Sequence, residues 1–394
     1  MRRIFRSGVI YLHMGGSRDM GKVLFFSLAK HQARYFGRLL AETSLQGLLV
    51  ESGHLPFPAL SRISEVVAQV EWAKLVTEKC QERRVKKKYQ GLFYRLLLRA
   101  ELLFMGLRIQ ALLDREKPDL VAVWNGSARH CQLLLALLRS DCKTVFFENG
   151  LLPNTTTLDA RGVNYNNAMP RTAAFYCAYA EQLADAPTVP IKLVPRKPRI
   201  EGLEPIALPL HFVFIPFQDD RDTQVRLFSP WVRNMQELFT LGERIAAESG
   251  LAVVFKEHPS SRESYPELHA RCNDRVLFAN GNNTQELIER SLYVVTLNST
   301  VGIESLLLGK PVMTLGNAFF NIEGLVAHAD SLNELLGLVR TYPNWRLSDE
   351  LRSSFLHYLQ HQYCVHGHWQ TATAEHLQDV AARIQQVLLT TTVE

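Results

Sequence analysis

The stretch SLYVVTLNSTVGIESLLLGKPVMTLG, residues 291–316, decides the fold. Tyr293-Val294-Val295-Thr296-Leu297 is a short apolar, β-branched run, the pattern of a buried strand. Asn298-Ser299-Thr300 follows, with side chains suited to capping a helix and the backbone N–H groups of a helix start. Such a start suits a phosphate. Glu304 falls on the first turns of the helix, Gly309 ends it, and Pro311 stops it from continuing before the next strand. The arrangement implies a domain that holds a nucleotide phosphate with backbone dipoles and a ribose with a carboxylate.

Working outward, the same alternation recurs. On the C-terminal side of the chain the pattern predicts strand 211–216, helix 231–249, strand 251–255, a strand or turn at 275–278, helix 284–291, strand 292–297, helix 301–308 and strand 311–315, with a mostly helical tail over 349–388. In the first half Gly8–Leu12 reads as a strand, Gly15-Gly16 as a turn, Val23–Glu42 as a helix and Gly47–Glu51 as a strand. Residues 61–115 read as helical and charged. Leu120–Trp124 is a strand entering the turn Asn125-Gly126-Ser127, followed by helix Arg129–Arg139 and strand Lys143–Phe147. This βαβ rhythm calls for parallel sheets covered by helices. Residues 148–171, rich in Asn, Thr and Pro, read as a long loop, a length that inside a compact domain points to function or mobility.

A chain of 394 residues is too long for one ordinary core. The expected organisation is a Rossmann-like domain over 1–185, a Pro-rich linker over 186–209, a nucleotide-binding domain over 210–345, and C-terminal helices over 346–394 that pack across both. Two α/β domains so joined correspond to the GT-B architecture, with ligands in the cleft at the carboxyl ends of the strands. With 47% hydrophobic and 21% charged residues the composition is that of a soluble globular protein. The longest apolar runs, such as Leu133–Leu138, are too short to span a bilayer, and no signal peptide is evident. The six cysteines are scattered with no CxxC pair, which argues for free thiols in a reducing cytoplasm and against a zinc site. The net charge of +5 is uneven: Arg83-Arg84-Val85-Lys86-Lys87-Lys88-Tyr89 is a dense basic run. It is either a solvated helix face or a contact for an anionic surface at the inner membrane. No nucleic-acid motif accompanies it.

Three more strand exits carry chemistry. Gln218-Asp219-Asp220-Arg221-Asp222-Thr223-Gln224 follows a strand. Its three carboxylates form a polar turn with an N-cap, or supply a base, a nucleophile or a stabiliser of an oxocarbenium-like centre. Lys256-Glu257-His258-Pro259-Ser260 places a Lys and a His on one side of an extended segment, where they would neutralise or protonate a leaving phosphate; the alternative is a capping His before a turn. Glu148-Asn149-Gly150 is a cleft acid/base or a turn, and the same alternatives hold for Asp159, Arg161 and Asn164 beyond it. Tyr363–Trp369 contains two His without a third ligand and reads as structural or cleft-lining.

At these residues the chain resembles the bacterial capsule-polysaccharide synthesis proteins, in particular the retaining β-Kdo glycosyltransferases that use the activated sugar CMP-Kdo. The pieces that carry the resemblance are FFENGLLPNTTTLDARGVNYNNAMPR (146–171), IPFQDDRDTQV (215–225), KEHPS (256–260) and LNSTVGIESLLLGKPVMTLG (297–316). The resemblance implies Asp222 as nucleophile, with Gln218 and Gln224 framing it. It implies Glu148 as acid/base or acceptor-side carboxylate, and His258 with Lys256 on the donor phosphate or the Kdo carboxylate. Asn298, Ser299 and Thr300 would hold the CMP phosphate and Glu304 the ribose. Asp159, Arg161 and Asn164 would lie on the acceptor side. The implied partners are a nucleotide sugar and a glycan or glycolipid acceptor, with no metal or other cofactor. The first piece departs from the family pattern at Asn149, Leu151 and Asn154, so the resemblance specifies the donor more closely than the acceptor.

Overall fold

The computed structural model of the chain describes residues 2–6, 9–13, 21–85, 87–182, 203–259, 261, 263–342, 344–345 and 347–390. The turn expected at Gly15-Gly16, the linker through residue 202, Lys86 and Ser260 lie outside the described residues. Two compact units form: Met1–Gly150 with Asn154–Ala168 and Cys364–Glu394, and Leu151–Pro153 with Met169–Tyr363.

The first unit contains strands β1 (Arg2–Arg6), β2 (Val9–His13), β3 (Val23–Ser27), β4 (Gly47–Glu51), β5 (Leu120–Trp124), β6 (Lys143–Asn149) and β7 (Thr155–Asp159). A short strand near the end of the chain, Val365–His366, joins them as the fourteenth in chain order, β14. They form one sheet in the order β1-β2-β4-β3-β5-β6-β7-β14. The centre, β4-β3-β5-β6, is parallel, while both flanks are antiparallel. Helices α1 (Lys30–Glu42), α2 (Ile63–Gln69), α3 (Trp72–Val85), α4 (Leu92–Glu116), α5 (Arg129–Ala136) and, near the C-terminus, α14 (Ala374–Leu389) cover it.

Strand alternation builds two cores. Leu24, Phe26, Leu48, Val50, Val121 and Val123 face the helices of residues 63–136. Val23, Phe25, Leu49, Leu120, Ala122, Val145 and Phe147 face α1 and α14. The expected helix Val23–Glu42 is therefore corrected: its first five residues are β3, and the helix begins at Lys30. The reason is physical. A strand buried on both faces is apolar throughout and has no period of two to distinguish it from a helix end. The expected loop 148–171 contains β7, which extends the sheet antiparallel to β6. The expected helical stretch 61–115 is three helices, the last two broken by the turn that Gly91 closes.

The second unit holds β8 (Phe212–Pro216), β9 (Ala252–Lys256), β10 (Val276–Phe278), β11 (Tyr293–Thr296), β12 (Val312–Thr314) and β13 (Ala327–His328). Its helices are α6 (Ala173–Glu181), α7 (Thr223–Phe228), α8 (Met235–Ser249), α9 (Pro266–His269), α10 (Thr284–Arg290), α11 (Val301–Leu307), α12 (Leu332–Thr341) and α13 (Asp349–Tyr358). The sheet is fully parallel, in the order β10-β9-β8-β11-β12-β13. In chain succession this is 3-2-1-4-5-6, so the winding reverses between β8 and β11. In open parallel sheets ligands bind outside the carboxyl ends of the strands at such a reversal. Val213, Ile215, Val253, Phe255, Val295 and Met313 pack on α8 and α12, and Phe212, Phe214, Val254 and Val294 on α10 and the start of α11. Among the described residues no helix is long and apolar enough to cross a membrane.

Candidate active site

The reversal in the second unit is closed by two buried amides. Beyond β8, Gln218 donates from Nε2 to Asn298 Oδ1 (3.0 Å), and its Oε1 accepts from the Asn298 backbone N–H (3.3 Å). Asn298 Nδ2 donates to the carbonyls of Gln224 and Phe228, both at 3.1 Å. Both side chains are almost fully buried, so each polar atom requires a partner. Gln218 finds both of its side-chain partners on Asn298, and the Asn298 side chain is completed by Gln218, Gln224 and Phe228. The couple pins the exit of β11 to the exit of β8 and to both ends of α7.

The three carboxylates after β8 take different positions. Asp219 Oδ1 accepts from the Arg221 N–H (2.9 Å), a local turn. Asp220 points inward: Oδ1 accepts from the Met235 N–H (2.8 Å) and Oδ2 from the Tyr265 hydroxyl (3.3 Å). Burial raises its carboxyl above the ordinary range, with those hydrogen bonds opposing the rise and Asp219 and Glu263 adding to it. Asp222 is exposed and N-caps α7, its Oδ1 accepting from the Gln224 N–H at 2.9 Å. Arg221 between them pairs with Glu263.

At the end of β11, Ser299 Oγ accepts from the Val301 N–H (3.2 Å), and the Ser299 N–H donates to Thr296 Oγ1 (3.3 Å). Thr300 is the residue preceding α11, and its side chain does not cap the helix. Glu304, half-buried, lies in the first turn of α11. Gly309 ends the helix at φ +68, with its N–H donating to Leu306 O.

Lys256 closes β9 and its ammonium donates to the carbonyls of Asn280 (2.8 Å) and Asn282 (2.6 Å). Burial lowers its pKa. It thus ties the loop after β10 to the same sheet edge. His258 is half-buried, and its carbonyl accepts from the Ser261 N–H (3.1 Å). Lys256 ends β9, and Gln218, Asp222, Gln224, His258, Asn298, Ser299, Thr300 and Glu304 follow the carboxyl ends of β8, β9 and β11.

In the first unit the neighbouring exits of β5 and β6 come together. Asn125 Nδ2 donates to Glu148 Oε2 (2.6 Å), and Glu148 Oε1 accepts from the Asn149 N–H (2.9 Å). Asn125 sits at φ 60 and Gly126 at φ +80, where an added Cβ would lie 2.7 Å from the Phe146 ring. Asn149 Oδ1 accepts from Trp369 Nε1 (2.8 Å). Asp159 is buried and accepts three backbone N–H groups, from Arg161 (2.7 Å), Gly162 (3.1 Å) and Ala168 (2.7 Å). It shapes the loop that carries exposed Arg161 and half-buried Asn164, the latter at φ 56.

The link between Asn125 and Glu148 was missed in the sequence, although two adjacent strand exits each bearing a polar residue were the available signal. The burial of Asp220 had no such signal. His366 and Trp369 serve structure: His366 O accepts from the His376 ring, and Trp369 bonds Asn149. Among the described residues no group of three or more His, Cys, Asp or Glu side chains converges to hold a metal.

Residues 207–366 match the family model of the capsule polysaccharide biosynthesis proteins. Protein FixF of Sinorhizobium fredii is 38% identical over 250 residues, which are 63% of this chain and 60% of FixF. The capsule polysaccharide export protein KpsS of Escherichia coli is 33% identical over 116 residues, 26% of this chain and 29% of KpsS. The chain thus spans less than two thirds of either relative. Among solved structures, the β-Kdo 2,7 transferase of Thermosulfurimonas dismutans KpsC superposes with a TM-score of 0.50 at 13% identity, covering 92% of this chain and 99% of that one. That likeness is one of fold: mixed α/β, GT-B in type and glycosyltransferase-like.

Proposed function

We propose, from the match of residues 207–366 to the capsule polysaccharide biosynthesis family, that the chain is a retaining glycosyltransferase that moves Kdo from CMP-Kdo to a capsule, lipopolysaccharide or lipid-linked glycan acceptor. The observation that carries the proposal is the Gln218–Asn298 couple. It lies at the sheet reversal and holds the turn 298–300 beside the carboxylate-bearing segment 219–222.

In this reading CMP departs from the ketosidic carbon of Kdo as Asp222 forms a bond to it. An acceptor hydroxyl then displaces Asp222 from the opposite face, and its proton passes to a base. Two inversions retain configuration. Asp222 is suited to the role: it is exposed, and its Oδ2 makes no hydrogen bond among the described residues. The leaving group carries one phosphate, which the turn at Ser299-Thr300 with His258 and Lys256 would neutralise without a metal. Glu304 would bind the ribose. Glu148, oriented by Asn125, would act as the acceptor-side carboxylate or acid/base.

The test is mass spectrometry of the purified protein incubated with CMP-Kdo and a chelator. A Kdo-sized adduct on Asp222, absent from Asp222→Ala, is the expected result. Full transfer by Asp222→Ala sinks the nucleophile assignment. Consumption of a different nucleotide sugar, with CMP-Kdo untouched, sinks the donor assignment.

A further inference from the structure

Helix α4 is apolar around most of its circumference in its first turns, interrupted by Arg95 and Arg99, a composition close to that of a helix buried all round. Here one side is not buried. Leu98 and Leu102 enter the core, whereas Leu92 is 75% exposed, Phe93 67%, Leu96 56% and Leu97 55%. Phe104 continues the exposed strip along the helix. Beside it, the Ala59 N–H donates to Leu107 O, and the Arg108 guanidinium grips the carbonyls of Leu55 and Pro56. These contacts hold exposed Phe57 and Leu60 next to the second half of α4. A contiguous exposed apolar face of this kind marks an interaction surface.

Charge selects the partner. Residues 83–100 contain seven Lys or Arg and no Asp or Glu. Arg84, Lys87, Lys88, Arg95 and Arg99 are exposed and form no ion pair among the described residues. Arg83 is stacked on Tyr94, 4.1 Å from the ring centroid, and bonds Tyr89 O, so the turn into α4 is held with its cations around the apolar tip. A protein partner would complement such a face with carboxylates at fixed positions. An anionic bilayer supplies what both parts require together: a hydrocarbon boundary for Leu92, Phe93, Leu96 and Leu97, and a negative surface for the flanking cations.

We propose that the α3–α4 corner, Tyr89 to Leu97 with its ring of Lys and Arg, docks on an anionic lipid surface. The face lies in the first unit and the proposal does not depend on the donor sugar, since its readout is lipid binding rather than transfer. It would bring the proposed nucleotide-sugar site to a lipid-borne acceptor, and among the described residues no helix is long and apolar enough to cross the membrane itself.

The experiment is co-sedimentation of the full chain with phosphatidylcholine vesicles that contain phosphatidylglycerol, against pure phosphatidylcholine, with sedimentation velocity on the same samples. The expected result is binding to the anionic vesicles that weakens with salt. Each cation near such a surface contributes about fivefold in partition, so Lys87→Gln/Lys88→Gln should lose about 25-fold. Leu92→Glu/Phe93→Glu should abolish binding with an unchanged circular dichroism melt, because both residues are exposed. Equal partition onto both vesicle types overturns the proposal. So does unchanged binding by Leu92→Glu/Phe93→Glu, or a dimer that this variant dissociates while lipid binding stays absent throughout.

Discussion

Asn298→Ala is the sharpest perturbation of the proposed donor-side site. The substitution removes three side-chain hydrogen bonds: the one received from Gln218 Nε2 and the two donated to Gln224 O and Phe228 O. At about 1 kcal/mol each, the loss is about 3 kcal/mol, and the buried Gln218 Nε2 left without its acceptor adds about 1–3 kcal/mol more. Gln218→Ala removes two bonds and should cost about 2 kcal/mol. Because the two side chains serve each other, the double variant should be less damaged than the sum, by about 1 kcal/mol or more. Urea unfolding of the four proteins measures the stabilities, and calorimetric titration with CMP measures the effect on the turn 298–300. Both single variants should bind CMP more weakly even where they remain folded. If Asn298→Ala loses less than about 0.5 kcal/mol, the couple is not the buried clamp described. If it keeps full CMP affinity, the turn is not the nucleotide site.

His376 Nε2 meets the Tyr35 hydroxyl at 2.8 Å in the core between α1 and α14. Burial lowers its pKa below the ordinary 6.5. The sign follows: the contribution is present above the unfolded pKa and lost as pH falls through the folded one. The melting temperature should therefore drop as pH falls below about 6.5, and His376→Gln should flatten that drop; equal slopes would contradict the burial argument. Asp220 has the opposite sign. Its raised carboxyl pKa means that its contribution is present below the unfolded pKa and lost as pH rises through the folded one. Thermal melts of Asp220→Asn across that acidic range should show less loss with rising pH than the parent, and a steeper loss would refute the assignment.

The second unit was legible because its strands obey their own pattern. β8, β9 and β11 are short apolar runs ended by polar turns, and each lies within a residue or two of its expected place. The strand order was not legible, since nothing local in Gln218 or Asn298 says that β8 and β11 are neighbours. That adjacency turns two amides expected to meet the nucleotide sugar into a clamp on each other. In the first unit, β3 was read as helix because Val23–Ser27 is apolar on both faces, and β7 was hidden in a polar stretch. Thr155, Thr156, Thr157 and Asp159 are all buried there, with their polar atoms engaged by contacts such as Thr156 Oγ1 to Gly367 O and Thr157 Oγ1 to Asn149 O. A polar residue buried by long-range bonding has no local signature. Lys256 is similar: beside the phosphate role expected of it, its ammonium donates to two backbone carbonyls, and only the fold brings residues 280 and 282 beneath it.

The three carboxylates after β8 show how the backbone sorts residues that composition leaves equal. A nucleophile must be ionised and reachable. Asp220 meets neither condition well, since burial favours its neutral form and both its oxygens accept hydrogen bonds inside the unit. Asp219 is half-buried and folds onto the Arg221 N–H. Asp222 is exposed at the start of α7, where aligned amides favour the anion. Its cap bond engages one oxygen and thereby orients the other. The α7 backbone that fixes this orientation is itself gripped by Asn298 through Gln224 O and Phe228 O. The proposed nucleophile and the proposed phosphate turn are therefore mechanically one element. A substitution at Asn298 should disturb Asp222 as well as the nucleotide, because Gln224 donates its N–H to Asp222 and accepts from Asn298 at its carbonyl.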